Sequence, residues 1–202
     1  MLPTAQHSTG IHGARNLSLP ENPFWDFSIR VYAVTGVAEA CLALQDDQGA
    51  DVNLVLFCLW VAQQNGGRLS RSQLEGYLDR VADWQAQVVV PLRALRRQLK
   101  EESSAIPPEF RELVRSTVKR AELDAEHAEQ LYLASLKPEG SDSKKPSPEA
   151  AAMDAAENLA QYLSLLKVRS SSRVQEKVDV LLSAAFPDVP RDKIAILARY
   201  ET

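Results

Sequence analysis

The sequence predicts an all-α protein: a multi-helix bundle around a central apolar helix, with a helical C-terminal extension. Three observations carry this. Apolar residues recur at steps of three and four, the spacing of one helix face. Helix-start and helix-stop residues punctuate these runs at helical lengths. No stretch shows the apolar–polar alternation of a half-buried strand, and no internal repeat is apparent.

The first element begins at "ENPFWDFSIRVYAV". Asn22 caps, Pro23 suits the first helical position, and Asp26 lies in the first turn. Phe24, Phe27, Val31 and Val34 face inward, with Trp25 and Tyr32 flanking them. Thr35 is expected to cap a second helix with Val37, Cys41 and Leu44 inward. Gly49 stops it, because glycine readily takes the left-handed conformation after a helix end. In "GADVNLVLFCLW", Asp51 is a natural N-cap for the third helix. The run Leu54–Ala62 is wholly apolar and too short to cross a bilayer, so it should be the buried centre of the bundle.

Ser70 and Gln73 form a capping box for the next helix. Its inward residues are Leu74, Leu78, Val81, Trp84 or Gln85, Val88, Leu92, Leu95 and Leu99. Pro91 lies inside this pattern and predicts either one long kinked helix or two helices meeting near Val90. A further helix spans Pro108 to Leu136, with Phe110, Leu113, Val114, Thr117, Ala121, Ala128 and Leu131 inward. "KPEGSDSKKPSP" reads as a linker. Ser147 and Pro148 then open the C-terminal helices, two of which meet near Phe186-Pro187. The expected organisation is a disordered arm over 1–20, a helical bundle domain over 21–137, a linker over 138–148 and a C-terminal extension over 149–202.

The 202 residues are 45% hydrophobic and 25% charged with a net charge of −4, an ordinary globular balance that argues against a dedicated nucleic-acid binder. Cys41 and Cys58 lie in apolar helical patterns and match no zinc or disulfide framework, which fits the cytoplasm. The first twenty residues lack the apolar run of a signal peptide. No cofactor and no metal motif is expected.

Three constellations bear on function. Asp46, Asp47, Asp51 and Asn53 form an acidic loop. It is either a set of caps and structural hydrogen bonds or a ligand site, and it fails the calcium-loop template. Arg93, Arg96, Arg97 and Lys100 cluster after Pro91. They offer either an anion contact or a solvated face paired with Glu101, Glu102 and Glu112. Trp25, Trp60 and Trp84 either fill the core or line a pocket. His127 is expected to be an exposed helical residue. Phosphate-loop and nucleophile-elbow signatures are absent.

"FWDFSIRVYAVTGVAEACLALQDDQGADVNLVLFCLW" followed by "ADWQAQVVVPLRALRRQLK" resembles an uncharacterised proteobacterial family known only as a domain of unknown function, over roughly residues 22–137. The resemblance implies a bacterial, cytoplasmic protein and carries over no catalytic residue. The expectation is therefore a non-enzymatic helical adaptor or regulatory protein that binds another protein. One alternative is a small-molecule or metal-dependent helical enzyme with its site near Asp46–Asn53. The other is an anion or nucleic-acid contact through Arg93–Lys100.

Overall fold

The computed structural model describes residues 19–64, 67–101, 105–136 and 146–199. These fold as helices α1 (Pro23–Tyr32), α2 (Val37–Gln48), α3 (Val52–Gln63), α4 (Arg71–Trp84), α5 (Val90–Gln98), α6 (Pro108–Leu136), α7 (Pro148–Leu165), α8 (Ser172–Ala185) and α9 (Arg191–Leu197). No strand occurs among the described residues. Most of the expected N-terminal arm and most of the linker lie outside the described residues.

α3 is the hub. Every residue from Asn53 to Ala62 is buried, and α1, α2, α6, α7 and α8 all pack on it. The closest partner is α7, whose Ala152, Ala155, Leu159 and Leu163 are small or apolar and almost fully buried. Asn158 on α7 is fully buried and ties off the chain after α3. Its Nδ2 donates to the carbonyls of Cys58 at 3.2 Å and Gly67 at 3.1 Å, and its Oδ1 accepts from Leu69 N–H at 2.7 Å. One core therefore spans the N-terminal helices and those after Pro148.

Local signals explain most boundaries. Asn22 Oδ1 accepts from Phe24 N–H at 3.0 Å, Ser70 and Gln73 form the capping box, and Ser147 and Ser171 cap α7 and α8. Gly49 is left-handed at φ 69°, and Ala50 N–H closes back onto Leu44 O at 3.1 Å. One cap differs from expectation. α2 starts at Gly36, left-handed at φ 89° with no side-chain cap bond, not at Thr35. The corner between α1 and α2 turns by 101°, and the left-handed glycine makes that turn without a Cβ penalty.

The break before Pro91 has a specific form. Residues Gln85–Val89 make a π-helical turn, in which Val90 N–H donates to Gln85 O. Pro91 has no N–H, and its ring would crowd the carbonyl of Gln87 in a regular helix. The wider turn admits one extra residue. At 3.6 residues per turn this rotates everything that follows by about 100°. So Val89, not the expected Val88, is fully buried. Beyond it Leu95 turns outward, at 44% exposure, and Arg93 turns in.

The register of α6 also differs from expectation. Phe110, Leu113, Val114, Thr117 and Ala121 are exposed, and Ala128 and Leu131 are only half-buried. The buried residues are instead Val118, Glu122, Ala125, Glu129, Gln130 and Leu133. Half of that buried set is polar. An apolar pattern cannot find a face that carboxylates and an amide hold by hydrogen bonds.

Candidate functional site

At the N-terminus of α3, the backbone polarity gathers a buried acid pair. Asp51 Oδ1 accepts from Asn53 N–H at 2.8 Å, the expected N-cap. Asp51 N–H donates to the Tyr162 hydroxyl of α7 at 2.8 Å. Asn53, itself buried, accepts at Oδ1 from Gln130 Nε2 at 2.8 Å. Beside it, Glu129 is 2% exposed and accepts from Gln85 Nε2 at 2.6 Å through Oε2. The two carboxyls hydrogen-bond to each other, with the Asn53 side chain also bonded to Glu129 and the Leu54 backbone to Asp51. Burial pushes both upward in pKa, and the Asp51 charge raises Glu129 further. Both shifts run in the direction that favours a proton kept between the two carboxyls.

A cleft of about 610 Å³ opens beside this pair, with Asp46, Asp51, Gln85, Arg93, Arg97 and Tyr162 among its walls. Glu129 does not reach it, and Asp51 Oδ2 is sealed from solvent. A shared proton suits general acid–base work only where a substrate can touch it. Here the oxygens that hold the proton lie behind the wall.

The basic cluster is divided between two neighbours. Arg93 reaches Glu122 at 3.2 Å and Glu126 at 2.8 Å, both on α6. Arg96 forks onto both oxygens of Glu122. Arg97 points the other way, to Asp46 on α2 at 2.8 Å, while Lys100 is exposed. The partners are thus on distant helices rather than at Glu101 or Glu112, and Glu112 is held by Arg115. Glu102 lies outside the described residues. Burial pushes the Glu122 carboxyl up, but hydrogen bonds and charge from Arg96, then Arg93, outweigh it and hold it below the ordinary range. Glu126 goes the other way, because its burial outweighs the attraction of Arg93. The seam between α5 and α6 is therefore ionic.

The other expected site residues do not converge. Asp47 is exposed. Trp60 is in the core, stacked on Phe24 with ring centroids 5.0 Å apart. Trp25 is half-buried and stacks on His127 at 4.2 Å, so that histidine is covered rather than free in water. Trp84 is 40% exposed and its Nε1–H donates to Ala125 O at 3.1 Å. Among the described residues, no three His, Cys, Asp or Glu side chains gather as a metal ion would require.

Sequence reasoning missed Glu122, Glu126 and Glu129. Their spacing of four and three places them on one helix face, and Arg93 and Arg96 share the matching step. That correspondence is the signal that could have paired α5 with α6.

The outer side of the α5–α6 hairpin is apolar. Phe110, Leu113 and Val114 are 56%, 67% and 53% exposed, and Thr117 and Ala121 continue their stripe. Helical spacing sets exposed Leu95 and half-buried Leu92 and Leu99 on the same side of α5.

These features define an all-α bundle with an ionically seamed two-helix arm. The chain belongs to the family described as Protein of unknown function (DUF2390), which matches residues 23–133. It matches no curated protein and no solved structure.

Proposed function

We propose that this protein is a helical adaptor or regulatory protein that binds another protein on the outer face of its α5–α6 arm. The observation that supports this is the apolar stripe Phe110–Leu113–Val114–Thr117–Ala121. Its period is that of a buried helix face, yet no described part of the chain covers it. Contiguous exposed apolar surface of this kind marks interaction sites in soluble proteins. Phe110 supplies the aromatic anchor that such interfaces favour. The ionic seam presents this face by turning the polar residues of both helices toward each other.

An enzyme working at the Asp46–Asn53 loop has less support, because the acid pair there is sealed. An anion contact at Arg93–Lys100 also has less support, because Arg93, Arg96 and Arg97 already hold carboxylates. Among the described residues, no single helix is long and apolar enough to cross a membrane. The proposal places the protein in the bacterial cytoplasm, where the free, buried Cys41 and Cys58 are at home.

The test is quantitative affinity capture at native expression level with the intact chain and with Phe110→Asp. One set of partners should be recovered by the intact chain and lost by the variant, with helicity by circular dichroism unchanged. Identical recovery by a folded Phe110→Asp protein would refute the assignment of the face.

A further inference from the structure

The outer stripe of α6 runs from large to small. Phe110, Leu113 and Val114 lie toward its N-terminus, and Thr117 and Ala121 follow. Along one edge of the stripe, Glu109 stands at the large end and Arg120 at the small end. Both are exposed. These gradients of size and charge run the same way along one helix.

We propose that the protein docked on this face is a second copy of the chain, with the two α6 helices antiparallel about a twofold axis near Arg115 and Ser116. This rests on the reading that the face binds protein, and it names the partner. The antiparallel arrangement sets Phe110 of each copy opposite Ala121 of the other, and Val114 opposite Thr117. Bulky residues then fill the space beside small ones, the condition for close packing between helices. The same twofold keeps like edges together and reverses their direction. Glu109 of each copy therefore meets Arg120 of the other, twice per dimer. A parallel pairing would instead set Phe110 on Phe110 and Glu109 on Glu109. An isologous contact is self-complementary, and here one stripe carries both halves of the match.

The geometry leaves room for this docking. The twofold sits toward the N-terminal end of α6 from His127 and Gln130, which meet Trp25 of α1 and Asn53 of α3. The contact is confined to about four turns of each α6, which suits a reversible dimer rather than an obligate one.

The experiment is sedimentation equilibrium on the full chain from about 1 to about 100 µM, the range that brackets a modest interface. The intact protein should move from one chain mass toward twice that mass. Val114→Asp, exposed and next to the axis, should stay at one chain mass throughout with unchanged helicity. Glu109→Arg and Arg120→Glu should each weaken association about tenfold, and the two together should restore it. An intact chain that stays monomeric at 100 µM would overturn the second-copy assignment, while the capture experiment would still decide whether some other protein uses the face. A dimer unaffected by Val114→Asp would overturn it too, by placing the contact elsewhere. Failure of the double charge exchange to restore binding would overturn the antiparallel register.

Discussion

Replacing Glu129 by glutamine tests the buried acid pair directly. In the folded protein burial, and then the Asp51 charge, push the Glu129 carboxyl up to about 10. It donates toward Asp51 and accepts from Gln85 Nε2 at 2.6 Å. In the unfolded chain it titrates near 4.3, so folding at neutral pH must take up a proton. That uptake costs about 1.4 kcal/mol per pH unit above the unfolded value, or about 3.7 kcal/mol at pH 7, as an upper limit. A group whose folded pKa is raised contributes fully below its unfolded pKa and loses that contribution as pH rises toward the folded value. The native protein should therefore lose stability steadily from about pH 5 toward the folded value of about 10 on account of this site. Glutamine has the shape of the protonated acid: its amide donates to Asp51, its carbonyl accepts from Gln85, and it needs no proton. Glu129→Gln should thus match the native protein near pH 4–5 and exceed it by up to about 3–4 kcal/mol at pH 7. Urea unfolding followed by circular dichroism at several pH values measures both slopes. A glutamine variant less stable than the native protein at pH 7, or one with the same slope, would show that Asp51 and Glu129 do not share a proton.

Other outcomes follow from the same contacts. Leu59→Ala, at a fully buried position of α3, should cost roughly 2–5 kcal/mol in chemical unfolding, and Leu56→Ala a similar amount. Asp51→Asn keeps an N-cap and should fold normally by thermal denaturation, whereas Asp51→Ala should cost at least about 1 kcal/mol through the lost cap. Arg96→Ala strips Glu122 of its fork and should cost about 1–3 kcal/mol, moderated because Arg96 keeps some contact with water. Glu122 has a lowered folded pKa, so its contribution is present above the ordinary carboxylate range and lost as pH falls through the folded value. Acid titration should show a smaller loss in Arg96→Ala than in the native protein, because Arg93 alone still holds Glu122 in the variant.

The sequence by itself determined the helices and their hub. Caps are local: Asn22, Asp51, Ser70 and Ser147 act on backbone groups two or three residues away, so residue type and position suffice. The Leu54–Ala62 run is apolar on every side, and no register error can move it to the surface. The tertiary structure alone decided which way α5 and α6 face. One extra residue in the turn before Pro91 rotates α5, a consequence of backbone geometry that side-chain periodicity does not carry. The inward side of α6 is chosen by Arg93, Arg96, Gln85 and Asn53, which lie 29 to 77 residues away from their hydrogen-bond partners on that helix, except for the 26 that separate Arg96 from Glu122. Burying Glu122 and Glu129 is favourable only when those partners arrive, so the apolar pattern pointed to a different face, about 100° round the helix. That face is where the periodicity expected a core, and within the described chain it meets no other helix.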